Sequence, residues 1–305
     1  MEYLIETRDL TKQYGKNVVV RNVSIHVPSG KIYALLGRNG AGKTTLMKMI
    51  LKLIRSTEGE FFIFGTKDMK RDSQVYQKIG SIIETPGFYE NLTAYENLDI
   101  LMRLRNSNKE GAIIRALEMV GLQNESTKPF MDYSLGMKQR LGIAAALMHE
   151  PRLLILDEPT NGLDPVGIAE LRTLLTSLCR DKGMTILISS HVLNEIEQIA
   201  EVIGVMHEGR LIEEIYLEDL RSQQREYVEY EISDVKAAEE IMHDIFGIHD
   251  CHVQGDILKV FDASRQIGII NTTFVKHGLT VTKINVKKES LEEYFLKRIG
   301  GVGIA

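Results

Sequence analysis

The sequence predicts an α/β fold with a parallel central sheet, followed by a smaller α+β domain. Two short apolar runs, residues 31–36 and 152–156, read as buried strands, one ending at a glycine-rich turn and the other at two acids. Beyond about Tyr216 the pattern changes to short alternating strands between helical segments. The length of 305 residues also favours a second domain, because one hydrophobic core stops growing at roughly 250–300 residues.

The larger domain divides into three regions along the chain. Residues 3–30 have the alternation of antiparallel strands, and residues 31–90 and 150–215 supply the α/β core. Residues from about 90 to 147 have helical spacing, and Thr93 and Glu96 form a capping-box pattern at the first of these helices. We therefore expect one domain over residues 1–216, with a helical subdomain at about 90–147.

Residues 217–305 form the second predicted domain. Their strands and helices follow the order β-α-β-β-α-β, which is that of a ferredoxin-like split unit. We find no catalytic constellation in this segment, and its histidines match no standard metal-ligand spacing. We expect a small accessory domain without nucleotide chemistry of its own.

The turn after the first apolar run fits the phosphate-binding loop pattern, with a helix leaving it. Glycines let consecutive backbone N–H groups face an anion, and the helix N-terminus adds its dipole. Lys43 is expected on the β- and γ-phosphates and Thr44 on Mg²⁺. A glycine-rich turn without a ligand is the alternative reading. The expected nucleotide-binding residues here are Gly37, Arg38, Asn39, Gly40, Ala41, Gly42, Lys43, Thr44 and Thr45.

The second apolar run ends in Asp157 and Glu158. A carboxylate at the carboxyl end of a central parallel strand faces the ligand crevice. Asp157 is therefore expected to hold Mg²⁺, directly or through water, and Glu158 to accept a proton from an attacking water. A solvated strand end would give the same pattern, but the phosphate loop earlier in the chain favours the site.

Residues 133–140 read Tyr-Ser-Leu-Gly-Met-Lys-Gln-Arg and precede an alanine-rich helix. This block resembles the signature sequence of ATP-binding-cassette (ABC) ATPases, and the resemblance extends over most of residues 3–215. It implies a P-loop NTPase core with an N-terminal antiparallel β subdomain and a helical signature subdomain. Residues 161–164 resemble the family's D-loop, and residues 189–191 the segment that carries its switch histidine.

The family resemblance also implies roles for single residues. His191 would contact the γ-phosphate and Glu158, although a capping histidine is the alternative. Tyr14 would stack on adenine. Ser134 and Gly136 would act on ATP held by a second protomer, so that two cassettes enclose two nucleotides, and Asp164 of the D-loop is expected among the nucleotide-binding residues. A homodimer with composite sites is therefore implied.

Glu84 departs from the family pattern, since most relatives carry glutamine there. Its carboxylate is a hard oxygen ligand for Mg²⁺ but adds negative charge beside a triphosphate, so metal binding and coupling both stay open as roles. The sequence from Ile83 to Thr93, with the signature above, resembles the ATPase subunits of bacitracin- and lantibiotic-resistance exporters. Three residues that follow Glu84, namely Phe88, Tyr89 and Leu92, are expected near a groove that accepts a cytoplasmic helix of the permease. An ordinary helix-entry cluster is the alternative.

These features together predict an ATP hydrolase that powers export of an antimicrobial peptide or drug through a separate membrane permease. A lipid or polysaccharide exporter uses the same type of ATPase and is one alternative. A soluble ABC ATPase acting on DNA or ribosomes is the other. The net charge of −5 gives no support to a nucleic-acid partner. The start does not resemble a signal peptide, and no stretch approaches the roughly 20 apolar residues of a membrane span. We therefore expect a cytoplasmic protein, held at the inner face of the membrane by its permease.

Overall fold

A computed structural model describes residues 2–67, 74–84, 87–105, 110–261, 263–264 and 266–298. The chain divides into two compact units, residues 1–218 and residues 219–301. Among the described helices, none has the length and apolar character needed to cross a membrane.

The first sheet of the larger unit is antiparallel. Its strands, in the order β2-β1-β5-β6 with β3 also pairing with β1, are β1 (Tyr3–Tyr14), β2 (Asn17–Val23), β3 (His26–Pro28), β5 (Glu58–Ile63) and β6 (Thr66–Lys67). The β1–β2 hairpin closes between Tyr14 and Asn17, with Gly15 at a φ of +57°. The antiparallel subdomain predicted from residues 3–30 is confirmed, with two further strands from beyond residue 57.

The second sheet is the predicted parallel core. In the order β11-β10-β4-β9-β8-β7, its described strands are β4 (Ile32–Leu36), β7 (Ile79–Ile82), β8 (Leu153–Leu156), β9 (Thr185–Ser190), β10 (Val202–His207) and β11 (Arg210–Tyr216). All neighbours run parallel except β10 and β11. Every residue of β4, β8 and β9 is buried, which explains the apolar character of β4 and β8 and of residues 186–188 in β9.

Helices cover this sheet and form the helical subdomain. They are α1 (Lys43–Ile50), α2 (Ala94–Leu104), α3 (Ala112–Met119), α4 (Leu135–Leu147), α5 (Pro165–Lys182) and α6 (Leu193–Ile196), and a further helix, α7 (Leu217–Gln223), contains the boundary between the two units. The predicted capping box at the start of α2 is confirmed, because Thr93 accepts from the Glu96 N–H while the Glu96 carboxylate accepts from the Thr93 N–H. Both hydrogen bonds satisfy backbone donors that a helix start leaves without acceptors.

The smaller unit has the ferredoxin-like order that its sequence predicts. Its elements are β12 (Glu226–Ile232), α8 (Val235–Asp244), β13 (Cys251–Gln254), β14 (Ile257–Phe261), α9 (Ile267–Lys276), β15 (Val281–Lys288) and α10 (Leu291–Arg298). The described strands form an antiparallel sheet in the order β13-β14-β12-β15. Its core contains Tyr230 and Phe274, whose rings meet edge-on with centroids 5.3 Å apart.

One glycine sets the distance between the helical subdomain and the edge of the central sheet. A Cβ added at Gly80 in β7 would lie 2.1 Å from the carbonyl oxygen of Ala146 in α4. His149, just past α4, also has its Nε2 at 3.0 Å from the Ile79 carbonyl oxygen. Because backbone stands on both sides of this contact, no side-chain rotation can make room for a larger residue.

We predict that Gly80→Ala lowers the free energy of unfolding by about 1–3 kcal/mol, the range for overpacking a close contact. Chemical unfolding of the full chain measures the shift. Gly136→Ala in α4 is the matched control, since its added Cβ would meet only the Leu163 Cδ2 at 3.8 Å. Equal stability of the two variants would contradict the contact.

Candidate functional site

The loop between β4 and α1 is built around glycines that cannot be replaced without displacing backbone. A Cβ at Gly37 would lie 2.3 Å from the Met206 carbonyl oxygen. Gly42, at the N-terminus of α1, has a φ of +100° and lies against the Val19 carbonyl. The Gly37 N–H donates to the Ser190 carbonyl, 3.2 Å away. The loop is thereby held on neighbouring strands, and the first N–H groups of α1, like those of any helix start, have no acceptor within their own helix.

Lys43 carries a buried positive charge into this loop. Its side chain is only 5% exposed and its Nζ lies 3.0 Å from the Glu158 Oε1. The ammonium also donates to the carbonyl oxygens of Gly37 and Arg38, at 2.5 and 3.2 Å. A buried ammonium requires such partners. Two loop carbonyls and one carboxylate thus surround the Lys43 ammonium, whose N–H donors could equally well bind phosphate oxygens.

Thr44, Asp157 and Ser189 form a chain of oxygens at the ends of α1, β8 and β9. The Thr44 hydroxyl donates to the Asp157 Oδ2 at 2.8 Å, and the Ser189 hydroxyl donates to the Asp157 Oδ1 at 2.7 Å. The Glu158 N–H in turn donates to the Ser189 Oγ at 2.8 Å. A hydroxyl and a carboxylate this close together are the hard oxygen donors that Mg²⁺ prefers.

Glu158 lies two residues past β8, next to Asp157, and its carboxylate contacts groups of the same site. Its φ is +46°, a left-handed conformation that is uncommon outside glycine and occurs often at functional sites. Its Oε2 lies 2.8 Å from the His191 Nδ1, and the Glu158 side chain is 15% exposed. The carboxylate is therefore held between Lys43 and His191 and can take up a proton from a water beside it.

A cavity of about 600 Å³ opens beside the loop. The described residues that line it are Arg38, Asn39, Gly40, Ala41, His191, His207 and Glu208. Sequence reasoning missed His207 and Glu208, which lie at the β10–β11 turn and carry no motif. Ser189 was included only in the segment that resembles the switch-histidine motif, without a role of its own, although a serine that ends an apolar strand was a usable signal.

Other predicted site residues lie outside the described lining of this cavity. Ser134 caps α4 by accepting from the Met137 N–H at 3.3 Å, and Asp164 caps α5 by accepting from the Gly167 N–H at 2.9 Å. Gly136 follows Ser134 in the first turn of α4. Tyr14 ends β1, is 51% exposed, and has the Lys12 Nζ 4.6 Å from its ring centroid.

Glu84 lies just past β7 and is tied to the loop helix rather than to Asp157. Its Oε1 is 2.5 Å from the Lys48 Nζ, and its side chain is 68% exposed. Lys48 lies four residues after Thr44 in α1, so the two side chains share one face of the helix. Glu84 is therefore paired with a lysine that lies one helical turn beyond Thr44.

Comparison with known proteins agrees with this geometry. The ABC transporter family model matches residues 20–161. The chain is 56% identical over 305 residues to a bacitracin transport ATP-binding protein of Enterococcus faecalis, covering 100% of this chain and 99% of that one. It is 47% identical over 209 residues to a lantibiotic transport ATP-binding protein of Streptococcus pyogenes, covering 68% of this chain and 89% of that protein.

Solved structures show the same fold. An ATP-binding subunit of an ABC transporter matches with a TM-score of 0.63 and 33% identity, over 72% of this chain and 92% of that chain. A dimeric ATP-binding cassette in a post-hydrolysis state, bound to ADP and Pi, matches with a TM-score of 0.62 and 26% identity, over 70% and 98% of the two chains. The predicted P-loop NTPase core of ABC type and the predicted family are therefore confirmed.

We predict that Lys43→Ala weakens nucleotide binding by roughly tenfold or more, because a hydrogen bond to a charged group contributes about 1.5–3 kcal/mol. Isothermal titration calorimetry with an ATP analogue measures the change. Lys52→Ala, two residues past the end of α1, is the control and should bind as the unmodified protein does. Unchanged affinity in a folded Lys43→Ala protein would contradict the loop assignment.

Proposed function

This chain belongs to the ATP-binding subunits of ABC transporters, which hydrolyse ATP to power transport, and we propose that two copies of it complete each other's sites. The observation that carries the proposal is the separation of the predicted residues. Lys43, Glu158 and His191 are joined by contacts of 3.0 and 2.8 Å, and His191 lines the cavity beside the loop, whereas Ser134 and Gly136 lie at the start of α4, outside the described lining of that cavity. A helix N-terminus offers N–H groups to an anion. The dimeric cassette with ADP and Pi supports a second copy as the source of that anion.

The nucleotide would lie along the loop with its phosphates on the α1 N-terminus. Lys43 would exchange its carbonyl partners for β- and γ-phosphate oxygens, which offer a full negative charge instead of a dipole. Tyr14, half exposed at the β1–β2 hairpin, would present a ring face to adenine while Lys12 lies at 4.6 Å from its ring centroid. Asp164 would act on the second protomer's nucleotide through the segment that it caps.

Thr44 and Asp157 would hold Mg²⁺, and their oxygens fit this ion because they already converge to 2.8 Å. The ion would supply positive charge that neutralises the β- and γ-phosphate oxygens. Ser189 would keep the Asp157 carboxylate oriented through its 2.7 Å hydrogen bond. Glu84 would contribute either to this metal site or to coupling, as its position beside Lys48 permits both.

Glu158 would act as the general base of hydrolysis. Its carboxylate stands between Lys43 and His191, so it is oriented from both sides and can accept a proton from a water beside the γ-phosphate. His191 would hold that carboxylate through Nδ1 and donate from its other nitrogen to the γ-phosphate. The loop N–H groups and Lys43 would stabilise the negative charge that develops on the phosphate during hydrolysis.

The transported substrate is proposed to be a peptide antibiotic of the bacitracin or lantibiotic type. Relatives that bear those names match this chain at 56% and 47% identity, the first over its whole length. The membrane channel would come from a separate permease, which would hold the chain at the inner face of the membrane.

A groove of about 340 Å³ between the sheet edge and the helical subdomain is the proposed docking place for a permease helix. Its described lining includes Ile83, Glu84, Phe88, Leu101 and Arg105. Phe88 also packs on Phe130 with ring centroids 5.1 Å apart. Of the other two residues expected near this groove, Tyr89 is 62% exposed and Leu92 accepts from the Phe130 N–H. Because Glu84 lines this groove beside the nucleotide site, a helix seated here would act on that site through a short path.

We predict that Glu158→Gln abolishes steady-state ATP hydrolysis, by at least roughly a hundredfold as expected for loss of a general base, while ATP binding and an ATP-dependent dimer persist. Phosphate release and size-exclusion chromatography measure the two properties. Glu208→Gln is the control, because Glu208 lines the cavity beside the loop but its side chain is 86% exposed. Glu158→Gln with near-normal turnover would remove Glu158 from this role.

We predict that Leu101→Glu weakens association with the permease, since it replaces an apolar wall of the groove by a second carboxylate beside Glu84, and leaves ATP hydrolysis by the isolated subunit unchanged. Co-purification with the co-expressed permease measures association. Tyr95→Glu, on the same helix but 46% exposed, should associate normally. Normal association of the Leu101 variant would place the permease contact elsewhere.

A further inference from the structure

The ion pair between Lys48 and Glu84 links two elements that meet at the nucleotide site. Lys48 lies in α1, one turn beyond Thr44, and Glu84 follows β7 by two residues. The neighbouring strand β8 leads into Asp157, whose N–H donates to the Ile82 carbonyl at 2.9 Å. The pair therefore joins the loop helix to the segment after β7 at the end of the sheet where the oxygens of Thr44 and Asp157 converge.

This ion pair has little to do with the stability of the fold. The Glu84 side chain is 68% exposed and that of Lys48 is 28% exposed, and exposed ion pairs contribute little to stability. Glu84 also has a φ of +65°, which is costly for a residue other than glycine. A strained backbone at an exposed carboxylate suggests that Glu84 has a role at the neighbouring nucleotide site.

The charges around the nucleotide site indicate what this role is. Glu158 and Glu84 are each paired with one lysine, Lys43 at 3.0 Å and Lys48 at 2.5 Å. Lys43 is also the lysine expected to turn to the phosphates. Among the described residues Lys48 is the cation paired with Glu84, so without it this carboxylate would add its negative charge near a triphosphate, and like charges repel across several ångströms even in a partly aqueous setting.

We propose that Lys48 is a positioning residue that cancels the charge of Glu84 and so allows a carboxylate to stand at this edge of the nucleotide site. The proposal rests on the proposed binding of ATP and Mg²⁺ at the loop, Thr44 and Asp157. It assigns Lys48, which carries no motif, a role in nucleotide affinity and metal demand. It also makes the effect of Glu84 depend on Lys48, so that neither can be understood alone.

The test is a double-mutant cycle of unmodified protein, Lys48→Met, Glu84→Gln and the double variant. Calorimetry with ATP and with ADP at fixed Mg²⁺ gives affinities, and titration of Mg²⁺ at fixed ATP gives the metal demand. We expect Lys48→Met to weaken ATP binding by roughly three- to tenfold, the effect of one unit charge several ångströms away at a surface-like dielectric constant. ADP should lose less affinity because it carries less negative charge.

The double variant is the decisive protein. If Lys48 acts by neutralising Glu84, removing both charges restores ATP affinity to within roughly twofold of the unmodified protein, as strong coupling between contacting residues requires. The Lys48→Met defect should also shrink between about 0.05 and 0.5 M salt, because ions screen exposed charges. Lys52→Met removes a lysine four residues further on and should leave all these values unchanged.

An additive cycle, in which the Lys48→Met defect persists beside Glu84→Gln, would overturn the proposal, as would Lys48→Met with unchanged ATP affinity and metal demand. Circular dichroism of each variant establishes that it is folded. Failure of the proposed function looks different, since unmodified folded protein would then bind no ATP in the same calorimeter. The two failures are therefore separable within one experiment.

Discussion

The buried ammonium of Lys43 is the constraint on which the arrangement of the site depends. At 5% exposure this charge has almost no water around it, and a buried charge without partners is strongly destabilising. The structure satisfies it with two loop carbonyls and the Glu158 carboxylate. These partners come from opposite sides of the cleft, so the loop after β4 and the acid after β8 must lie together. Phosphate oxygens would meet the same requirement with more negative charge.

The strand order places these groups together. With β4, β9 and β8 adjacent and parallel, their carboxyl ends meet at one edge, which is where ligands bind in open α/β sheets. Glu158, which has left-handed backbone, follows Asp157 at this edge. A single buried hydroxyl, that of Ser189, contacts both acids, donating to the Asp157 side chain and accepting from the Glu158 N–H. Ser189 thereby links the Asp157 carboxylate to the backbone of Glu158, whose own carboxylate pairs with Lys43.

Several groups in this chain serve local structure and, in the proposed function, a ligand as well. Ser134 and Asp164 each cap a helix, and capping accounts for both residue types without any nucleotide. A side chain that already accepts from its own helix is nonetheless held in one orientation. Their roles in the proposed dimer would use that fixed orientation, since the caps stand at helix starts where N–H groups are available to an anion.

From its sequence alone, this protein was recognisable as an ABC ATP-binding subunit with a ferredoxin-like second domain, and its relatives and topology agree. The pattern of residues 37–44, the acids after the second apolar run and the capping box at Thr93 depend on near neighbours in the chain, which a linear sequence displays directly. Tertiary structure decided the contacts across the fold. Ser189 bridges Asp157 from 32 positions away, and Lys48 reaches Glu84 from 36 positions away. No local pattern encodes such pairs, because their distance is set by strand order and helix packing rather than by spacing along the chain.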